Sequence, residues 1–260
     1  MTTVNDILNY IETLAPRAMK ESWDNVGLLC GSKGTPVTKI LVALDPFEHV
    51  CREAADWGAE LIVTHHPLIF QPVPNVTDGT SIGRSIMVLC RHGISAINAH
   101  TNLDQAPGGV NDVLAQTLGL QNVEIINPRA GEIPYGLLRC GTVEEQPLDT
   151  FLSTVKANLR CEGMRYVDGG KTVRKVAVGG GSCSGAMLEA LAAGCDTFVT
   201  ADVKYNGFWD AHDLGLNLID AGHFHTENPV VAVLAAKLQA QFPEIEVKIS
   251  KTHGDCVNYY

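Results

Sequence analysis

Apolar positions along the chain follow two periodicities, which predict helices and buried strands in alternation. From Val4 to Leu14 apolar residues recur at helical spacing, and Thr3 with Asp6 forms a capping pair at the start of this helix. Residues 147–159 show the same helical spacing, whereas the β-branched run 61–64 predicts a buried strand. This alternation indicates an α/β protein.

Three other segments carry local signals. Asp45 followed by Pro46 is typical of a helix start, with the aspartate as the cap and the proline in the first turn. Residues 179–182, Gly-Gly-Gly-Ser, either cradle an anion with their amides or form a tight turn, and their glycine spacing does not match a dinucleotide-binding loop. Residues 23–28, Trp-Asp-Asn-Val-Gly-Leu, are unusual for a loop, and spacing alone assigns them no chemistry.

Two parts of the chain match each other at a constant offset without a gap, which predicts two related α/β lobes. At this offset His65 and His66 correspond to Ala201 and Asp202. A second match, at a different offset, pairs residues 93–99 with 215–221. We expect lobes at 1–127 and 128–260, with the segment from about residue 221 packing back on the first lobe and ligands bound in a shared cleft. The aligned pairs of the first match are Lys39 with Lys175, Gly58 with Gly194, Val63 with Val199, and Thr64 with Thr200.

Histidines and carboxylates gather where the predicted strands end. His65 and His66 directly follow the strand at 61–64, and the carboxyl ends of parallel strands are where open α/β sheets bind ligands. Because neighbouring side chains of a strand point apart, a turn at Pro67 would let the two imidazoles serve different metal ions.

Two later strand ends complete the candidate ligand set. Asp104 follows the apolar run 94–97, and His223 and Glu227 follow the run 216–220. His223 and Glu227 are four positions apart, so one helical turn would bring them to the same face. Histidine with carboxylate is the ligand chemistry of divalent ions such as zinc and iron. The predicted metal ligands are His65, His66, Asp104, His223 and Glu227.

Plainer roles stay open for three of these ligands. His223 could cap or pack a helix start, Asp104 could cap a loop, and Glu227 could be solvated. His100 is expected to be a hydrogen-bonding partner of the site or a catalytic proton shuttle, and His225 an ordinary loop residue. Structural or surface positions are expected for His49, His92, His212 and His253.

Composition narrows the functional classes. The formal net charge of −10 argues against general affinity for nucleic acid, although a pair of divalent cations would still attract a small anion. The apolar runs are too short to span a membrane, and the amino terminus lacks a secretory pattern, so we expect a cytoplasmic protein without a membrane partner. The eight cysteines have no zinc-ribbon or redox spacing, and we expect reduced thiols.

Four ordered motifs give the chain a specific family resemblance. Residues 23–28, 63–70, 100–104 and 222–227 resemble the marks of the GTP cyclohydrolase 1 type 2 homologues, also called interacting-factor-three-like proteins. The resemblance runs from about Val4 to the last residues, and the chain has no room for the middle domain of longer members.

The resemblance implies a two-lobed α/β subunit with a dinuclear metal centre in the cleft, and subunits assembled as a toroidal homohexamer. By position, His65 and Asp104 would hold one metal, His66 and His223 the other, and Glu227 would bridge both. We expect iron or zinc at this centre, although manganese and cobalt also suit nitrogen and oxygen ligands.

Three functions compete at this point. The first is a metal-dependent hydrolase of a small anionic, nucleotide-like substrate, which we favour because so few protein ligands leave positions for water. The second is a non-enzymatic metal carrier, store or insertion protein. The third is an interaction scaffold with structural metals.

Overall fold

The computed structural model describes residues 1–131 and 133–260, which form helices and strands in alternation, as the apolar pattern predicts. In chain order the elements are α1 (Val4–Leu14), β1 (Gly27–Cys30), β2 (Lys39–Ala43), α2 (Glu48–Trp57), β3 (Leu61–Thr64), α3 (Ser81–His92), β4 (Ser95–Asn98), α4 (Thr101–Gln105), α5 (Val110–Thr117), β5 (Gln121–Ile125), β6 (Arg139–Gln146), α6 (Leu148–Leu159), β7 (Arg165–Val167), β8 (Val173–Val178), α7 (Met187–Ala192), β9 (Thr197–Thr200), α8 (Tyr205–Leu214), β10 (Asn217–Asp220), α9 (His223–Glu227), α10 (Pro229–Gln241) and β11 (Glu246–Ile249).

The chain divides into two compact units. The first contains Met1–Leu103 and Val231–Gly254, and the second contains Asp104–Val230 and Asp255–Tyr260. The division therefore falls at Leu103, earlier in the chain than the boundary at residue 127, which stays a prediction about domains.

The first unit is built on a five-stranded sheet with the order β1-β4-β3-β2-β11. Strands β4, β3, β2 and β11 run parallel, and β1 is antiparallel to β4 at the edge. A cluster of buried side chains from β2, β3, α2 and α3, including Leu41, Ile62 and Leu89, forms its core. This core fixes the positions of the parallel strands β2, β3 and β4. His65 and His66 follow β3 at the carboxyl edge of these strands.

The second unit contains a six-stranded sheet with the order β5-β6-β8-β9-β10-β7. Strands β8, β9 and β10 are parallel, and β7 is antiparallel to β10. Two buried clusters belong to this unit, one that includes Phe151 and Val199 and another that includes Phe198. Helix α6 buries Phe151 and Val155, which confirms the helix predicted at 147–159.

The central strands of the two units pair in the same register. In the first unit Val63 of β3 lies between Val42 and Ile97, and in the second unit Val199 of β9 lies between Val178 and Ile219. These are the residues that the two sequence matches align. The chain is therefore an α/β protein with two related sheets.

Local signals in the sequence predict the starts of two helices, and the structure confirms one of these two predictions. At α1 the Thr3 Oγ1 accepts from the Asp6 amide at 3.4 Å and the Asp6 carboxylate accepts from the Thr3 amide at 2.8 Å, so the capping pair is confirmed. The prediction for Asp45 was wrong, because α2 begins at Glu48 and its N-cap residue Phe47 makes no side-chain cap. The carboxylate of Asp45 binds two histidines instead.

Across residues 1–131 and 133–260, the helices are all too short or too polar to cross a bilayer.

Candidate metal centre

In the first unit, three imidazoles collect at the carboxyl edge of the parallel strands. His65 and His66 follow β3, and His100 lies two residues beyond the end of β4. The ring centroids are 4.9 Å apart for His65 and His66, 5.2 Å for His65 and His100, and 5.5 Å for His66 and His100. Their candidate ligand nitrogens all lie within 4.8 Å of one another. This edge of the sheet thus supplies a group of histidines that could hold a metal ion.

Each of these rings is oriented through its Nδ1 atom. The Nδ1 of His65 lies 2.9 Å from the carbonyl oxygen of Ala99, and because a carbonyl only accepts, this nitrogen carries the proton. The Nδ1 of His66 lies 2.6 Å from Oδ1 of Asp45. In a neutral imidazole protonated at Nδ1, the lone pair that binds a metal is on Nε2.

Asp24 holds the third ring and explains part of the segment 23–28. Its Oδ1 lies 2.8 Å from Nδ1 of His100, and its Oδ2 accepts from the backbone amide and the hydroxyl of Thr101. Burial raises the pKa of Asp24, but the hydrogen bonds from His100 and Thr101 outweigh it and leave the pKa well below its usual range. The carboxylate is therefore ionised and can only accept.

Asp45 is shared between two histidines of the first unit. Oδ1 binds His66, and Oδ2 lies 3.0 Å from Nε2 of His253. Burial raises the pKa of Asp45, but the hydrogen bonds from His253 and His66 have the larger combined effect and lower it overall. An ionised Asp45 fixes the ring of His66.

In the second unit, α9 presents a histidine and a glutamate on one face. The Nε2 of His223 lies 3.0 Å from Oε2 of Glu227, so the two side chains share one face of the helix, as their spacing predicts. Glu227 is buried, so a solvated position for this residue is wrong. Two ligand atoms that each lie about 2 Å from one ion are about 3 Å apart, so this pair fits a shared metal.

Asp202 orients His223 from the end of β9. Its Oδ2 lies 2.7 Å from Nδ1 of His223 and also accepts from the hydroxyl of Ser182. Burial raises the pKa of Asp202, but the hydrogen bonds from Ser182 and His223 lower it overall. The backbone of Asp202 has φ 52°, a left-handed conformation that costs a non-glycine residue about 1 kcal/mol or more. The fold thus accepts local strain where this carboxylate meets His223.

The glycines of residues 179–182 make room for Glu227. The amide of Gly180 donates to Oδ1 of Asn111 at 2.7 Å, and that of Gly181 donates to Oγ1 of Thr226 at 3.0 Å. A Cβ at Gly181, where φ is 61°, would lie 2.1 Å from Oε1 of Glu227. The segment is therefore a tight turn, and protein groups use the two amides that an anion cradle would need.

Asp104 is buried in the second unit as part of α4. Its backbone carbonyl accepts from Nδ2 of Asn111 at 3.1 Å. Burial raises the pKa of the Cys183 thiol, and the carboxylates of Asp104 and Glu227 raise it further. Both carboxylates therefore act on the same buried thiol, which stays protonated and is a poor ligand.

The remaining predicted roles can be compared with the structure. His225 lies in α9 rather than in a loop, with Nε2 3.2 Å from Oδ2 of Asp255. His212 is exposed on α8 beside Asp213, as expected of a surface residue. His253 is structural in the sense that it binds Asp45.

Sequence reasoning missed the acceptors that orient the rings. Asp24 precedes His100 by 76 positions, so no local pattern joins them. Asp45 had the pattern of a helix cap. Only Asp202 had a usable signal, because the internal match aligns it with His66 at a strand end.

Comparison with known proteins agrees with this fold. The family model described as Duf34/NIF3 (NGG1p interacting factor 3) matches residues 2–255. The chain belongs to this family. Among curated members, a GTP cyclohydrolase 1 type 2 homolog of Clostridium perfringens is 36% identical over 255 residues, with 97% of each chain covered. A GTP cyclohydrolase 1 type 2 homolog of Streptomyces coelicolor is 35% identical, and the match covers 98% of this chain and 93% of that relative.

Solved structures share this fold over nearly the whole chain. A Staphylococcus aureus protein superposes with a TM-score of 0.93 at 31% identity, covering 100% of this chain and 99% of that one. Reduced HcgD from Methanocaldococcus jannaschii has a TM-score of 0.81 at 28% identity, covering 97% and 98% of the two chains. The family resemblance found in the sequence is therefore confirmed.

Proposed function

We propose that this NIF3-family protein is a metal-dependent hydrolase of a small anionic, nucleotide-like substrate. In the proposal, His65, His66, Asp104, His223 and Glu227 form a dinuclear centre, with iron or zinc as the expected metals. His65 and Asp104 bind one ion, His66 and His223 bind the other, and Glu227 bridges them.

One observation carries the metal-binding part of this proposal. His65, His66, His100 and His223 all direct Nδ1 at an oxygen acceptor, at distances of 2.6 to 2.9 Å. Metal-bound histidines have this same arrangement, since the acceptor fixes the tautomer and the ring orientation and makes the other nitrogen a better ligand. Three of these rings, those of His65, His66 and His223, are the proposed ligands, and the fourth, that of His100, adjoins His65 and His66.

The donor set also fits the proposed ions. Imidazole nitrogen and carboxylate oxygen suit divalent zinc and iron, and the protonated Cys183 supplies no competing thiolate. When bound, such ions lower the pKa of a coordinated water and polarise the bond under attack. In the proposal, His100, which Asp24 holds beside His65 and His66, moves a proton.

The substrate class is supported by the relatives. The curated members are named as homologs of a GTP cyclohydrolase, and two divalent ions would make an anion-attracting site in a protein of net charge −10. We extend the proposal to a toroidal homohexamer, as the family resemblance implies, and to a cytoplasmic location.

The test is turnover by purified protein loaded with iron or zinc on a panel of nucleoside mono-, di- and triphosphates. We expect His66→Ala and Glu227→Ala each to lower the activity about 100-fold or more and to reduce the bound metal, measured by elemental analysis. His212→Ala is the matched control, because His212 also contacts an aspartate but is exposed on α8. Activity that survives both substitutions, or full metal loading without turnover of any nucleotide, would contradict the hydrolase.

A further inference from the structure

Two exposed aromatic rings stand beside the histidines of the first unit. The side chain of Trp23 is 60% exposed and that of Phe70 is 43% exposed, although each is among the most apolar groups of the chain. Their ring centroids are 5.8 Å apart with an interplanar angle of 77°. Since neither ring lies in a core, burial does not account for their position.

Hydrogen bonds of neighbouring residues anchor the loops that carry the two rings. Asp24, next to Trp23, is buried and bonded to His100 and Thr101. The Nδ2 of Asn25 donates to the carbonyl of Ile69 at 2.6 Å, which ties the Trp23 loop to the Phe70 loop. A surface ring without a partner needs no such support, whereas a binding surface gains affinity when its side chains are ordered in advance.

Both rings contact the side of the histidine group. The centroid of His100 lies 6.4 Å from that of Trp23 and 5.9 Å from that of Phe70, at angles of 74° and 86°. His100 also neighbours His65 and His66 at 5.2 and 5.5 Å. His100 therefore contacts both the aromatic pair and the proposed ligands His65 and His66.

We propose that Trp23 and Phe70 form a ring-binding wall that takes a planar heteroaromatic ring of the substrate. The inference rests on the proposed function for the reaction, but the binding it describes needs no turnover. Every nucleobase has a face that stacks on an aromatic side chain, and such stacking tolerates different bases. This role also gives residues 23–28 a chemistry: Asp24 orients His100 while Trp23 receives the substrate.

Binding to the wall is testable by tryptophan fluorescence. In the variant Trp57→Phe/Trp209→Phe only Trp23 reports, because these are the three tryptophans of the chain. The probes are guanosine 5′-monophosphate, uridine 5′-monophosphate and ribose 5-phosphate. We expect quenching by at least one nucleotide and none by ribose 5-phosphate at equal concentration. Equal quenching by ribose 5-phosphate, or no quenching by either nucleotide, would overturn the proposal.

A substitution series separates stacking from a structural role. By calorimetry, Trp23→Ala should weaken nucleotide binding about 10- to 100-fold, from the strength of base stacking, and Trp23→Phe should restore most of it. The matched control is Trp209→Ala, since Trp209 is 53% exposed on α8 and should leave binding unchanged. Circular dichroism and urea midpoints near those of the wild type would show that each variant is folded.

The outcomes distinguish this proposal from the hydrolase itself. Nucleotide binding that depends on Trp23 without turnover would support the wall and contradict the hydrolase. Turnover with an unchanged KM in Trp23→Ala would support the hydrolase and overturn the wall. Sedimentation that shows Trp23→Ala breaking an oligomer, with nucleotide binding intact, would assign the rings to a contact between copies and would also overturn the wall.

Discussion

The two units agree at the amino ends of their parallel strands and differ at the carboxyl ends. In the first unit the Glu60 carboxylate accepts from the amides of Thr38 and Lys39, and the Lys39 ammonium donates to the Trp57 carbonyl. In the second unit Asp196 accepts from residues 174 and 175, and Lys175 donates to residue 193 in the same way.

At the carboxyl ends of these strands the corresponding residues of the two units differ. After β3 the first unit places His65 and His66, whereas after β9 the second unit places Ala201 and Asp202. His66 is a candidate ligand, and its counterpart Asp202 is the acceptor that orients a candidate ligand. A shared scaffold can therefore keep the hydrogen bonds that build its sheet while one strand-end position changes from a candidate ligand to a residue that orients one.

The largest expected effect is on the free energy of unfolding. It shows whether the central strands β3 and β9 contribute equally to stability. Ile62 of β3 and Phe198 of β9 correspond in the internal match and are fully buried. Phe198→Ala should lower the free energy of unfolding by about 3–5 kcal/mol and Ile62→Ala by about 2–5 kcal/mol, measured by urea denaturation. The exposed Leu188→Ala should change it by less than about 0.5 kcal/mol. If either core variant behaves like this control, the two strands are not equivalent.

A second prediction tests the divergent ends. Asp45→Asn and Asp202→Asn keep the size of the side chain but remove the charge that orients His66 and His223. Each should weaken metal affinity about 10- to 100-fold, in competition with a chelator of known affinity.

Asp213→Asn is the control for this pair, because Asp213 contacts His212 on the exposed face of α8. An unchanged affinity in both Asp45→Asn and Asp202→Asn would mean that the two acceptors do not serve a metal.

The smallest effect tests the shared amino ends. Glu60→Gln and Asp196→Asn should each lower the free energy of unfolding by about 1 kcal/mol, since both weaken charge-assisted hydrogen bonds near the surface. Burial raises the pKa of Glu60, but hydrogen bonds from Thr38 and Lys39 lower it overall.

This depressed pKa gives the Glu60 contribution a defined pH dependence. The contribution is fully present above the unfolded-state pKa of about 4.3 and is lost as pH falls through the lower folded-state value. The stability difference between wild type and Glu60→Gln should therefore shrink between about pH 5 and pH 3, with the exposed Glu162→Gln as control. A gap that grows on acidification would refute the assignment.

Sequence patterns predict the structure correctly where a feature depends on residues that are close together in the chain. Strands, the α1 cap and the helical spacing of His223 and Glu227 are local features, and the structure contains each of them. Predictions failed where a side chain binds a residue that is distant in the sequence. The cap pattern at Asp45 was indistinguishable from a real cap, because the competing contacts with His66 and His253 depend on tertiary structure.

Gly181 has a consequence for how related sequences are read. While a glutamate occupies position 227 in this geometry, a methyl group at 181 would displace its carboxylate, so the two positions are constrained together. A relative that carries alanine or a larger residue in place of this glycine has given up the carboxylate position or rebuilt the turn. In a related sequence, glycine at position 181 is therefore a marker for a buried carboxylate at position 227.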